Sequence, residues 1–147
     1  MPPINSDASS FSLLLDNALY LVYSSQMTPT HDPQLLKGVL SLLLLQLLAQ
    51  RESYGYELVQ RLHEIGLSDI SDGTVYPALA RLERESRVSA RLVSSHSGPA
   101  RKYYRPTEAG YATLAEGVTG WLAFVDVTNP VLSQPIPTQP APPTEEV

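Results

Sequence analysis

The stretch Gly73-Thr-Val-Tyr-Pro-Ala-Leu-Ala-Arg-Leu-Glu-Arg-Glu-Ser86 places apolar side chains at Val75, Leu79 and Leu82. That spacing of i, i+4, i+7 gathers all three on one side of a helix, which must therefore lie against a core. The opposite side carries Gly73, Pro77, Ala80, Arg81 and Arg84, with Thr74 and Tyr76 at its margins and Ser71 or Asp72 opening the helix. Pro77 deletes one backbone hydrogen bond, so a local tightening or kink is expected there. A polar-faced helix, then a basic pair of short extended segments, then another amphipathic helix leaves few folds open.

The extended segments follow directly. Val88, Ala90 and Leu92 alternate with Ser89, Arg91 and Val93, the pattern of a half-solvated strand. His96 to Ala100 reads as the connecting loop, with Gly98 permitting a tight tip, and Arg101 to Arg105 as the return strand. On that strand Arg101, Tyr103 and Arg105 share one side, and Lys102 and Tyr104 the other. Two strands alone are marginal, so the hairpin must lean on the helices through an aromatic ring.

Ahead of this unit, Asp32 and Pro33 are a cap and first-turn pair that starts a helix running to about Gln50. Its apolar residues cover nearly the whole circumference, which predicts one side on the domain core and another on a partner subunit. Ser53 is read as the cap of a helix from Tyr54 to Ile65, with Leu58, Leu62 and Ile65 as its stripe and Gly66 at its end. Thr107 caps a last helix that Pro130 is expected to stop. Along it Tyr111, Leu114, Val118, Trp121 and Val125 step by 3, 4, 3, 4, the spacing of a seam that needs another helix opposite.

The expected fold is mostly α with a small β-hairpin: a winged helix-turn-helix plus a C-terminal dimerisation helix. Four parts are expected along the chain: an N-terminal extension over 1–32, the winged domain over 33–106, the dimerisation helix over 107–129 and a disordered Pro-rich tail over 130–147. Within the extension, Phe11 to Val22 has amphipathic helical spacing with Ser10 as its cap. Met27 offers a second start, which leaves residues 1–26 readable as an upstream extension.

Composition decides among function classes. The net charge of −5 argues against a nucleic-acid partner until its distribution is considered. All ten Lys and Arg lie between Lys37 and Arg105, and from Arg81 to Arg105 there are seven bases against two acids, Glu83 and Glu85. Lys37 to Arg105 holds seven acids in all and the flanks hold the other eight, so a positive face is expected on an acidic molecule. There is no cysteine, and His31, His63 and His96 lack ligand spacing, so neither disulfide nor metal site is expected. No catalytic constellation, glycine-rich phosphate loop or cofactor motif is present, which argues against an enzyme. The apolar run Val39 to Ala49 is too short to span a membrane, and no positive leader precedes Phe11.

A helix fits the major groove and a hairpin can follow phosphates, so the partner expected is double-stranded DNA. Thr74, Tyr76, Pro77 and Arg81 are the candidate base readers; Ser71 and the amides at Gly73 suit a phosphate at the helix start. Arg101 and Lys102, with Gly98 at the tip, are the candidate backbone clamps. The alternatives are a boundary core residue for Tyr76, a packing residue for Pro77, and pairing with Glu85 neighbours or solvent for Arg84. One such domain has a small footprint, so two copies on a pseudo-palindromic operator are expected.

Leu35-Leu-Lys-Gly38, Tyr54-Gly-Tyr-Glu-Leu58, Gly73-Thr-Val-Tyr-Pro-Ala-Leu79, Arg81-Leu-Glu-Arg-Glu85, Arg101-Lys-Tyr-Tyr-Arg105 and Thr107-Glu-Ala-Gly110 together resemble the PadR family of bacterial transcriptional regulators, over residues 33 to 127. The resemblance implies a homodimeric cytoplasmic repressor, associated with the nucleoid when bound, and often released by a small aromatic or drug-like effector. It also implies a ligand platform at Trp121, eleven residues after Gly110, where the alternative is a large core or interface side chain. Ser86 stands where the family usually has glycine, and Pro106 where it usually has leucine; Gly117 and Gly120 weaken the last helix. A second reading keeps the winged fold but uses it against another polypeptide instead of DNA.

Overall fold

The computed structural model describes residues 32–138. The expected helix at Phe11 to Val22, the Met27 start and the last part of the Pro-rich tail lie outside the described residues.

Five apolar positions explain why the chain closes on itself at its first described helix, α1 (Pro33–Gln50). Leu40, Leu44, Leu45, Leu47 and Leu48 are buried, and Asp32 caps the helix by accepting a 2.8 Å hydrogen bond from the Gln34 amide. The helix is longer than the apolar run Val39 to Ala49 and meets the length and composition of a membrane span, as the core helix of a folded domain also does. Its buried leucines show where that apolar surface goes instead, into the core of the domain.

Ser53 does not cap the next helix. Ser53 and Tyr54 form a short strand, β1 (Ser53–Tyr54), and α2 (Gly55–Glu64) begins without a side-chain cap. The buried Ser53 Oγ donates to the Arg51 carbonyl at 3.3 Å and accepts from Arg61 Nη1 at 3.0 Å. The Arg61 guanidinium also donates to the Leu47 carbonyl and to Gln50 Oε1, each at 2.9 Å, so one side chain ties the end of α1 to β1. Burial pulls this guanidinium below its ordinary value. The stripe of α2 is Leu58, Val59 and Leu62; Ile65 faces solvent, contrary to expectation, because the helix ends one residue before it.

Helix α3 (Asp72–Arg84) buries Val75, Leu79 and Leu82, as its periodicity predicts, and continues through Pro77. Strands β2 (Val88–Ser95) and β3 (Gly98–Pro106) follow. The sheet has three strands in the order β1-β3-β2, all antiparallel, with Tyr104 opposite both Ser53 and Ala90. The connecting turn is only His96 and Ser97, shorter than the loop expected. Gly98 pairs with Ser95 at the start of β3 and keeps a negative φ, so the tip does not use a left-handed glycine. Gly98, Pro99 and Ala100 looked like loop because Pro and Gly are depleted in strands. Here they lie past the end of β1, beside a register irregularity between Val93 and Ser95, where an amide is not needed. Tyr104, buried, is the ring through which the hairpin leans on the helices.

The last helix, α4 (Glu108–Leu132), is capped by Thr107, whose Oγ1 accepts from the Gly110 amide at 3.0 Å. It runs through Pro130 instead of stopping there, and the Ser133 amide closes it on the Asn129 and Val131 carbonyls. Leu114 is buried in the core and Val118 packs against it, while Leu42 of α1 lies directly on Gly117. Leu114 and Val118 are thus taken up by the core of the same chain, beside the Leu42–Gly117 contact with α1.

Candidate nucleic-acid interface

Helix α3 turns one side wholly inward, and the other side is open. Ser71, Gly73, Thr74, Tyr76, Pro77, Ala80, Arg81 and Arg84 are all exposed, while Val75 and Leu79 are completely buried. Ser71 occupies the N-cap position: its carbonyl accepts from the Thr74 and Val75 amides, and its hydroxyl lies 3.5 Å from Thr74 Oγ1 without capping the helix. Tyr76 retains 44% exposure even though its ring rests on the first turn of α2. The close approach requires glycine at position 55, because a β-carbon there would sit 2.5 Å from Tyr76 Cε1. Tyr76 is therefore held in place at its base while its edge stays exposed.

The hairpin stands beside this helix, and a cleft of about 500 Å³ separates them, lined by Tyr76, Gly98, Arg101, Lys102 and Tyr104 among others. The cations of the hairpin are not equivalent. Arg101 lies 4.8 Å from the Tyr54 ring, a cation–π contact that orients the guanidinium, and it has no ion pair among the described residues. Lys102 instead makes a 2.7 Å ion pair with Glu83 of α3 and sits over the Tyr104 ring, and the bond to Glu83 holds its ammonium above the ordinary value. Arg91 is engaged by Glu52 through two bonds of 2.7 and 2.9 Å, which raises the guanidinium and lowers the carboxyl. Arg105 Nε donates to Ser89 Oγ at 3.4 Å. Arg81 donates to Ser41 Oγ of α1. The Glu83, Glu52 and Ser41 partners were not visible in the sequence, since each lies 19 to 40 residues from its cation.

Away from this surface, α4 carries a second exposed feature. Of the seam positions, Tyr111 is 51% and Trp121 46% exposed, Val125 is half-buried, and Leu114 and Val118 face the core. Leu122, Phe124, Val127, Val131 and Leu132 are exposed and apolar, a strip that the seam reading missed. Trp121 and Phe124 lie with ring centroids 6.5 Å apart at the mouth of a groove of about 440 Å³ between α1 and α4, lined also by Leu42, Gly117 and Gly120.

A helix pair ending in an outward-facing helix, with a β-hairpin wing beside it and a long helix behind, defines a winged helix-turn-helix transcriptional regulator. The transcriptional regulator PadR-like family matches residues 44–116. A PadR-like transcriptional regulator from Bacillus cereus is 37% identical, covers 69% of this chain and 99% of its own, and superposes with a TM-score of 0.63. A PadR-like transcription factor from Bacteroides fragilis is 34% identical over 67% of this chain and 94% of its own, with a TM-score of 0.59. A PadR family transcriptional regulator from Eggerthella lenta, 26% identical, extends over 87% of this chain and 100% of its own, with a TM-score of 0.62. The chain belongs to the PadR-like family of transcriptional regulators, and it is a DNA-binding regulator, not an enzyme.

Proposed function

We propose that this regulator is a homodimeric repressor that binds a pseudo-palindromic operator and is released by a small planar aromatic effector, acting in the cytoplasm and on the nucleoid when bound. The observation that carries the DNA half is the division of α3 into a buried side and an open side next to a wing whose Arg101 has no ion pair among the described residues. Thr74, Tyr76, Pro77 and Arg81 meet base edges. Ser71 and the amides near Gly73 take a phosphate at the positive end of the helix. Arg101 and Lys102, carried past Gly98, follow the backbone and set register without naming a sequence.

The exposed strip from Leu122 to Leu132, too apolar to stay in water, supports pairing through α4. Pairing would bring Tyr111, Trp121 and Val125 to the subunit boundary, with Leu114 and Val118 supporting them from the core. Two reading helices then address successive major grooves about 34 Å apart. The groove beside Trp121 and Phe124 offers an aromatic platform for a planar effector.

Fluorescence anisotropy with the DNA flanking its own gene tests the reading. Tyr76→Ala should lower specificity while leaving random-sequence binding largely intact; equal losses on both would refute its role. Trp121 is the only tryptophan, so tryptophan emission, excited beyond the absorption of the eight tyrosines, reports on that position alone. Aromatic compounds that displace the DNA should quench it, and displacement with unchanged emission would rule out the platform.

A further inference from the structure

We infer that duplex DNA is gripped on both flanks of α3, and that the flank away from the wing, built from Lys37 of α1 with Arg81 and Arg84 of α3, supplies more of the salt-sensitive attraction than the wing. The inference rests on the DNA-binding reading above and adds to it a contact surface on α1. A helix with its side chains is about 10–12 Å across and the major groove about 12 Å wide, so a seated helix meets a phosphate wall on each side.

The residues of α3 divide between those walls. Tyr76 and Glu83, seven apart and so on one stripe, face the wing: Tyr76 lines the cleft with Arg101, and Glu83 holds Lys102. Thr74, Pro77, Arg81 and Arg84 line an open groove of about 840 Å³ against the first half of α1, where Lys37 also stands. Leu36 and Pro77 give that groove an apolar floor suited to a deoxyribose face, and a single carboxylate, Asp69, lines it.

Charge balance then separates the two flanks. On the wing side Lys102 and Arg91 are already neutralised by Glu83 and Glu52, which leaves Arg101 beside the cleft and Arg105, bonded to the neutral Ser89 hydroxyl, at the foot of the hairpin. On the α1 side Lys37 and Arg84 have no ion pair among the described residues, and Arg81 donates to a neutral hydroxyl. A cation already held by a carboxylate brings little net charge to a phosphate and releases fewer counterions, whereas a free one contributes its full share.

The test is anisotropy of the full-length protein with a labelled random-sequence duplex of two helical turns over a range of potassium chloride. Lys37→Gln and Arg84→Gln should each reduce the slope of log K against log salt by about 0.9, whereas replacing both partners of the wing ion pair, Lys102→Gln with Glu83→Gln, should change it by less than half as much. Arg84→Lys should restore the slope, which separates charge from packing, and Asp69→Asn should tighten binding at low salt. Folded Lys37→Gln and Arg84→Gln proteins with wild-type slopes would overturn the inference while leaving DNA binding intact. A wild-type protein without salt-dependent binding would remove both readings together.

Discussion

Ser86 has φ 57°, in the left-handed region that costs a side chain about 1 kcal/mol relative to glycine. The strain is tolerated because the turn closes α3 well: the Ser86 and Arg87 amides return to the Glu83 and Leu82 carbonyls, and the Ser86 carbonyl accepts Thr107 Oγ1 at 2.6 Å. Ser86→Gly should therefore stabilise the fold by about 1 kcal/mol, read from the shift of the urea midpoint. Gly110 is the opposite case. A β-carbon there would overlap the Arg87 carbonyl oxygen, which is backbone and cannot rotate away. Gly110→Ala should cost about 3 kcal/mol on the same measurement, and a neutral result would mean that α4 can slide. Tyr104 adds a pH dependence. Burial raises its phenol above the ordinary value, so the unfolded chain ionises first as pH climbs past about 10. The stabilisation from keeping the phenol protonated is complete below that pH and is lost as pH rises through the folded value. Tyr104→Phe should flatten the fall in denaturation midpoint across about pH 10.

Among the elements, those with several turns of periodicity or a capping side chain were legible: α1 from Asp32-Pro33, α3 from Val75, Leu79 and Leu82, and the start of α4 from Thr107. Strand β1 was not, because two residues have no period, and only their pairing with Tyr104 and Tyr103 makes Ser53 and Tyr54 a strand. The wing cations were identifiable as residues, but the pairing of Lys102 with Glu83 depends on how β3 settles against α3, which local sequence does not encode. The seam read on α4 divides in the structure: Leu114 and Val118 face the core, while Tyr111 and Trp121 are exposed. A stripe every three to four residues cannot say which neighbour it meets, and part of this one meets the core of the same chain. If the strip beyond it holds two subunits, Phe124→Asp should shift sedimentation to the monomer, whereas Leu35→Asp, on a comparably exposed residue of α1, should not. An unchanged dimer in Phe124→Asp would place the interface elsewhere.

For the whole molecule, an acidic chain with net charge −5 can approach DNA only if some of its cations are disposed together, and Lys37, Arg81, Arg84, Arg101 and Lys102 border the two sides of α3. The helix behind them has a mechanical consequence. After Val118, α4 runs on for another fourteen residues, about 21 Å, with no buried side chain. It is a lever whose fulcrum is the Leu42–Gly117 contact. A tilt of about 10° at that fulcrum swings the free end by roughly 4 Å. In a twofold pair two such tilts add, so a compound wedged beside Trp121 could throw the reading heads out of step with the DNA repeat without unfolding either one.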